Sequence, residues 1–420
     1  MKKVLSKSLQ DLIDIVKDRF ADEPDMVQEF INCFTNTLDT TVKRMEDGTT
    51  HVITGDIPAM WLRDSSMQVL PYFRMIEEET VDKVLFGLIQ KQAAQILTDA
   101  YANAFNKDGD YSCYSKDKTE MGPYIWERKY EVDSLAFPVM LLHKYYALTG
   151  KTEVFTDTVN KALERILTVW ETEQHHEEKS PYTFERDSDL VSETLQNDGK
   201  GTPVAYTGMT WSGFRPSDDA CVYHYLVPSN MLAVSALRKM QDFPVSQALK
   251  ERAELLAVQI DTGIRTYGIY EHPVYGKIYA YETDGMGNYN LMDDANIPSL
   301  LAAPWFGYCD REDEIYQNTR RFILSKENPY YYSGSKAAGV GSPHTPEGYV
   351  WPIAIAVRGL TATNKKEKEE MLQMLLDMTG GTGYMHEGVD VNAPENYTRP
   401  WFAWANSMFC LLTSDCLQET

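Results

Sequence analysis

The sequence predicts an all-α fold, and three observations carry that reading. Apolar residues recur at helical spacing in segment after segment, period-2 alternation is scarce, and no Pro- or Ser-rich linker or low-complexity tract divides the chain. About a dozen helical segments alternate with loops rich in Trp, Tyr, Asn, Asp and Gly, and many of these exceed the roughly 2–8 residues usual between bundled helices. Loops of that length are usually functional. No period of about 20–50 residues is visible, which disfavours a solenoid.

Leu9, Leu12, Ile13, Val16 and Phe20 mark the first amphipathic helix. The chain opens Met1-Lys2-Lys3, but Asp11, Asp14 and Lys17 interrupt the apolar run a signal peptide needs, so this segment reads as a helix. Val81, Val84, Leu85, Leu88, Ile89 and Leu97 mark a longer helix with the spacing of a buried stripe. Val159, Ala162, Leu163, Ile166 and Trp170 repeat the pattern, as do Leu249, Ala253, Leu256 and Ile260. Lys277 to Tyr281, after Tyr275-Gly276, is the best hairpin candidate. Trp401 to Leu412 is apolar nearly all round, as in a helix enclosed by others.

At 420 residues and 43% hydrophobic, the chain can bury one large core, although its length alone allows two or three domains. A net charge of -22 argues against nucleic acid and anionic membrane as partners, since both need clustered Lys and Arg. It suits a neutral substrate. No stretch approaches 18 apolar residues, so no membrane-spanning helix is expected. The six cysteines (Cys33, Cys113, Cys221, Cys309, Cys410, Cys416) form no C-x-x-C pair, and a reduced, cytoplasmic protein with buried thiols is the simplest account. The pair His175-His176 lies in a polar run and reads as a solvated loop, not a metal site. No metal or cofactor is expected.

Three stretches concentrate chemistry. Thr54 to Ser65 (T-G-D-I-P-A-M-W-L-R-D-S) puts a turn at Gly55-Asp56 and then Trp61, Arg63 and Asp64 within four residues. An aromatic face, a five-donor cation and an acceptor-only carboxylate are the partners a polyhydroxylated ring wants. In W-S-G-F-R-P-S-D-D-A, from Trp211 to Ala220, Pro216 and Ser217 read as the start of a helix with Asp218 and Asp219 in its first turn. Adjacent side chains diverge by about 100° on a helix, so only one of the pair faces a given atom. Like charge and an apolar wall would raise one of them, as a general acid requires. From Thr379 to Asp390 (T-G-G-T-G-Y-M-H-E-G-V-D), clustered glycines shape a loop that presents Glu387, with aromatics just downstream.

These stretches resemble glycoside hydrolase family 125, the exo-acting α-1,6-mannosidases. The resemblance continues at Tyr101 to Asn106 (Y-A-N-A-F-N), Trp126 to Ser134 (W-E-R-K-Y-E-V-D-S), Met292 to Leu301 (M-D-D-A-N-I-P-S-L-L), Met385 to Glu387 and Thr398 to Asn406 (T-R-P-W-F-A-W-A-N). It implies one catalytic domain over residues 1–420, an (α/α)6 barrel with the active site in the loops at one end, and a metal-independent inverting reaction on α-mannoside oligosaccharides. The acid falls in the Asp218-Asp219 pair, which sequence does not resolve, and the base is Glu387. Substrate-binding candidates are Asp56, Trp61, Arg63, Asp64, Tyr101, Asn103, Asn106, Trp126, Glu127, Lys129, Asp133, Trp211, Arg215, Asp294, His344, Arg399, Trp404 and Asn406. Trp305, Trp351 and Tyr330 to Tyr332 read as core. Two other readings stand beside this one. A phosphorylase or another inverting glycosidase on the same scaffold would be revealed by phosphate dependence or by its substrate. A non-catalytic glycan-binding protein would show no hydrolysis to lose in Glu387→Gln. Oligomeric state is left open.

Overall fold

Leu12, Ile13 and Val16 lie buried on one side of helix α1 (Lys7–Arg19) in the computed structural model, which describes residues 7–417. Met1 to Lys3 lie outside the described residues. Eleven further helices of at least seven residues follow among those described: α2 (Pro24–Asn36), α3 (Leu62–Gln68), α4 (Glu79–Thr98), α5 (Val132–Thr149), α6 (Asp157–Glu173), α7 (Val227–Lys239), α8 (Gln247–Tyr267), α9 (Glu314–Ile323), α10 (Pro352–Leu360), α11 (Lys365–Asp377) and α12 (Ala403–Cys416). Their starts follow local chemistry. Thr156, Ser246, Asp313 and Asn364 cap α6, α8, α9 and α11 by accepting a backbone N–H, and α2, α7 and α10 carry Pro in the first turn.

The helices fall into two kinds. Every residue of α3 is buried, and α7, α10 and α12 are buried nearly all round. By contrast, α1, α6, α8, α9 and α11 bury only a stripe. A helix without a polar face must be enclosed by others, and one with a stripe covers the enclosing layer. The packing follows. α3 lies on α5 and α12, α5 on α7, and α10 on α12; α2 covers α12, α4 covers α5, α8 covers α7 and α11 covers α10.

The scarcity of strands needs correction. Paired extended segments are numerous but only two to four residues long, and they arise within the loops. A two-residue strand has no period to read, so alternation could not reveal it. The expected hairpin is present as Ile269–His272 paired with Gly276–Tyr279. Several of these short segments feed the enclosed helices: Met60–Trp61 leads into α3, Tyr225–Leu226 into α7 and Tyr349–Val350 into α10. The first turns of α3, α5 and α7 are tied together by Arg63, Asp133 and Ser229, so these helices begin at one end of the molecule.

Other expectations also change. His176 is buried: it stacks on Trp211 at 3.6 Å, and its ring nitrogens meet Glu173 and the Lys200 carbonyl. Only Glu177, Glu178 and Lys179 of the polar run are exposed; Glu173 and Gln174 are buried with His176. Cys113 and Cys309 are only partly buried, as are Trp305 and Tyr330 to Tyr332, while Trp351 is buried. Among the described residues, no helix is long and apolar enough to cross a membrane.

Candidate active site

Gly55 brings two remote segments together. Its φ is +134°, and a Cβ there would stand 2.5 Å from the Trp401 carbonyl oxygen, so only glycine permits this approach. Asp56 N–H then donates to the Trp401 carbonyl at 3.2 Å, and Ala403 N–H to the Thr54 carbonyl at 3.1 Å. As a result the start of α3, with Trp61, Arg63 and Asp64, faces the start of α12, with Arg399, Phe402 and Trp404. Between them is a hollow of about 370 Å³, open at its mouth, whose wall also includes Asp218, Asn296, His344, Trp351 and Glu387.

Arg63 organises the floor. Its Nη1 lies 2.6 Å from Glu131 and 3.0 Å from Asp133, its Nε 3.6 Å from Asp64 and its Nη2 4.0 Å from Asp218. Its guanidinium also lies 5.6 Å from the Trp404 ring. Burial works against its charge, but the carboxylates outweigh burial and hold its pKa well above the usual value. For Asp64 the balance is opposite: burial pushes its carboxyl up to about 6 against the pull of Arg63 and Arg399.

No helix begins at Ser217. The segment turns back on itself: Phe214 bridges to Ala220, Arg215 N–H donates to the Asp219 carbonyl at 2.8 Å, and Asp218 N–H donates to the Arg215 carbonyl at 2.9 Å. Asp218 takes φ +68°, a left-handed conformation that Asp tolerates better than most residues. Lys129 Nζ donates to its carbonyl at 2.6 Å, and Asn103 Nδ2 donates to its Oδ1 at 3.2 Å. The expectation of a raised acid fails for this side chain. Burial does push it up, but Lys129, Arg63 and His344 together bring it below the ordinary range. Asp219 points elsewhere, with its Oδ1 3.4 Å from His344 Nδ1.

Glu387 is delivered by the glycine loop, where Gly380, Gly381 and Gly383 all have positive φ. Asn406 anchors the strand of chain just before it by accepting from Met385 N–H at 2.9 Å. The Glu387 carboxylate accepts from Thr398 Oγ1 at 3.0 Å and lies 3.8 Å from Arg399 Nη1. Arg399 in turn pairs with Asp56 and lies 4.5 Å from the Phe402 ring.

The sequence candidates therefore sort into three groups. Trp61, Arg63, Asp64, Asp218, His344, Glu387, Arg399 and Trp404 line the hollow, and Asp56 stands behind Arg399 at its rim. Asn103, Lys129 and Asp133 lie behind it and bond to Asp218 or Arg63, which line it, while Glu127 and Asn406 stand one contact further back. Glu127, for example, accepts from Asn103 at 3.0 Å and pairs with Arg186 at 2.9 Å. The remainder are not brought to the hollow. Tyr101 donates to Glu173, Asn106 binds backbone carbonyls, and Trp126 packs against the apolar cluster of Ala59, Trp61 and Ala104. Trp211 is sandwiched by His176 and His224, Arg215 is paired with Glu282 at 2.6 Å, and Asp294 is buried beside Asn296. Tyr101, Trp211 and Arg215 found partners on other elements that local sequence does not reveal, whereas Asp294 is met by its near neighbour Asn296.

Sequence reasoning missed Ile57 on the wall and Thr398 behind Glu387; it named Phe402 only among the aromatics downstream of Glu387, and it read Trp351 as core, where Trp351 is indeed buried and also reaches the wall. Besides its place in that aromatic run, Phe402, like Trp351, stands just before a helix start. Among the described residues, no three His, Cys, Asp or Glu are grouped so as to hold a metal ion. The arrangement offers aromatic faces, fixed cations and three carboxylates (Asp64, Asp218 and Glu387) around one opening, which suits binding a polyhydroxylated ring and moving protons.

The chain matches the family model of metal-independent α-mannosidases (GH125) over residues 23–413. A solved Streptococcus pneumoniae structure, described as a metal-independent α-mannosidase in a non-productive complex with α-1,6-mannobiose, is 47% identical, with TM-score 0.96 and both chains covered to 100%. The meiotically up-regulated gene 157 protein of Schizosaccharomyces pombe is 40% identical over 440 residues, covering 99% of this chain and 86% of that protein. A wild-type glycosidase structure at 12% identity, with TM-score 0.59 over 98% of this chain and 99% of the other, shares the fold alone.

Proposed function

We propose, from the premise that this chain belongs to the GH125 family of metal-independent α-mannosidases, that it is an inverting exo-hydrolase of terminal α-1,6-linked mannose. Its substrates in this reading are mannose-terminated oligosaccharides of the N-glycan type. The observation that carries the reading is the placement of Asp218 and Glu387, from distant parts of the chain, on the wall of one aromatic-lined hollow.

Asp218 is the acid and protonates the departing O6. Lys129 and Asn103 fix it from behind, and seating of the sugar excludes water and so strengthens the burial that already pushes its carboxyl upward. Glu387 is the base. It takes the proton from a water on the opposite face of the ring, in the geometry of inverting enzymes, whose carboxyl groups stand about 6.5–9.5 Å apart. Arg63, Asp64 and Arg399 bind hydroxyls of the terminal mannose, and Trp61, Trp404 and Phe402 supply apolar faces. A site built to pair hydroxyls rejects sugars that lack them.

The scaffold we propose is a single (α/α)6 barrel over residues 1–420. In support, α3, α5, α7, α10 and α12 form an enclosed layer, covered by α2, α4, α8 and α11. To the remaining inner place we assign the mostly buried, turn-rich segment 299–307, whose Trp305 and Phe306 lie beside α3, α5 and α7.

The test is to incubate the enzyme with α-1,6-, α-1,3- and α-1,2-mannobiose and follow the products by NMR. Mannose is expected from the α-1,6 isomer, with the β-anomer formed first. An α-anomer formed first overturns the role of Glu387.

A further inference from the structure

We infer that Asp219 is a positioning residue that acts through His344, orienting the imidazole so that its second nitrogen meets the substrate between Asp218 and Glu387. This rests on the hydrolase reading above. His344 is part of the wall of the hollow, and its Nδ1 faces Asp219 Oδ1 at 3.4 Å. The two nitrogens of an imidazole lie on different edges of the ring, so engagement of Nδ1 leaves Nε2 as the group free to donate to a sugar hydroxyl. Asp219 itself is buried to 3% exposure, does not line the hollow, and has no partner on its Oδ2. A buried carboxylate with so little compensation is costly unless a cation stands beside it, and His344 is the side chain it contacts.

The loop carrying the histidine is pinned independently of Asp219. Thr345 Oγ1 accepts from Trp351 Nε1 at 2.9 Å, and Ala295 N–H donates to the Gly341 carbonyl at 3.1 Å. The charged groups facing the ring are Asp219 and Asp218 from the turn after Trp211, and Glu387 from the glycine loop. Burial works against protonation of the imidazole, but Asp219 first, and then Glu387 and Asp218, lift it to about 9. The ring is thus a cation through neutral pH. Its proton is lost as pH rises through about 9, and without Asp219 that loss moves toward the ordinary 6.5.

The test combines kinetics with NMR on the full chain. Asp219→Asn and His344→Gln are each expected to lower kcat/KM on α-1,6-mannobiose by roughly 10–100-fold, the usual cost of losing an orienting partner. The double variant should match the worse single one within roughly twofold, since residues acting through one another are not additive. On α-mannosyl fluoride, whose leaving group needs no proton, Asp219→Asn should lose the same fraction of activity. Selective recovery on the fluoride would make Asp219 a proton donor and overturn the inference, as would additive losses in the double variant. The histidine ring titration supplies an independent readout, with the His344 midpoint expected to fall from about 9 toward 6.5 in Asp219→Asn. A wild-type midpoint at or below 6.5 overturns the pairing even if the variant does not fold. Failure of the wild type to release mannose would instead overturn the hydrolase reading, which the titration does not test.

Discussion

The two ends of the enclosed helix layer differ in size and in chemistry, and the smaller opening is the one we propose as the reactive site. At the end where α3, α5, α7, α10 and α12 begin, a hollow of about 370 Å³ collects Arg63, Asp64, Asp218, His344, Glu387 and Arg399. At the end where α3, α5 and α7 finish, a groove of about 1030 Å³ is lined by Met67, Leu70, Phe137, Met140, Leu141, Leu232, Trp305 and Phe306, with His143, Lys144 and Lys239 among them. The groove is where side chains at helix ends meet imperfectly. The hollow is where segments from across the sequence converge.

Helix polarity contributes to the contrast. N-termini carry partial positive charge and favour carboxylates, and Asp64 and Asp133 occupy the first turns of α3 and α5. C-termini favour cations, and α7 ends in Arg238 and Lys239. At the groove Lys144, although exposed, is pushed below its usual pKa, first by desolvation and then by Lys239. At the hollow, Arg63 meets carboxylates on several sides and is pushed the other way. Cavity volume therefore does not identify the site; compensated charge does.

That contrast can be broken or sharpened by substitution at each end. The largest effect is expected for Glu387→Gln, which should lower kcat on α-1,6-mannobiose by about 10²–10⁴-fold, the range attributed to a positioned proton-transfer group. Calorimetric binding of the disaccharide should persist, because Thr398 and Arg399 still hold the amide in place. Loss of binding along with turnover would indicate a structural glutamate. Next, Arg63→Met should destabilise the fold by about 3–5 kcal/mol in urea unfolding, since it leaves Glu131 and Asp133 buried without their cation. A change below about 1 kcal/mol would show those carboxyls to be neutral already. The smallest effect belongs to the groove. Leu148→Ser, at a residue 55% exposed, should change stability by no more than about 0.5 kcal/mol and leave kcat/KM unchanged. A clear loss of activity there would couple the two ends.

Much of the fold was legible because the signals are local. The stripe Val159, Ala162, Leu163, Ile166 and Trp170 became the buried face of α6, and the all-round apolarity after Trp401 became the enclosed α12. The glycine loop before Glu387 was also legible, because positive φ is a property of single residues. The turn at Asp218 was not. Pro-Ser-Asp-Asp is a good helix start by local preference, but the bridge from Phe214 to Ala220 and the pull of Lys129 on the Asp218 carbonyl come from residues placed by the fold.

By itself, then, the sequence determined the helical class, the buried stripes of several helices, and which residue types are present to bind a sugar. Tertiary structure decided among residues that look alike in one dimension. Trp61 lines the hollow while Trp211 is stacked between histidines; Arg63 serves the site while Arg215 is taken by Glu282; Asp218 faces the opening while Asp219 faces His344. Helix preference is set by neighbours a few residues away, so it can be read along the chain. The partner that captures a side chain is set by contacts between segments far apart in the sequence, and those exist only once the chain has folded.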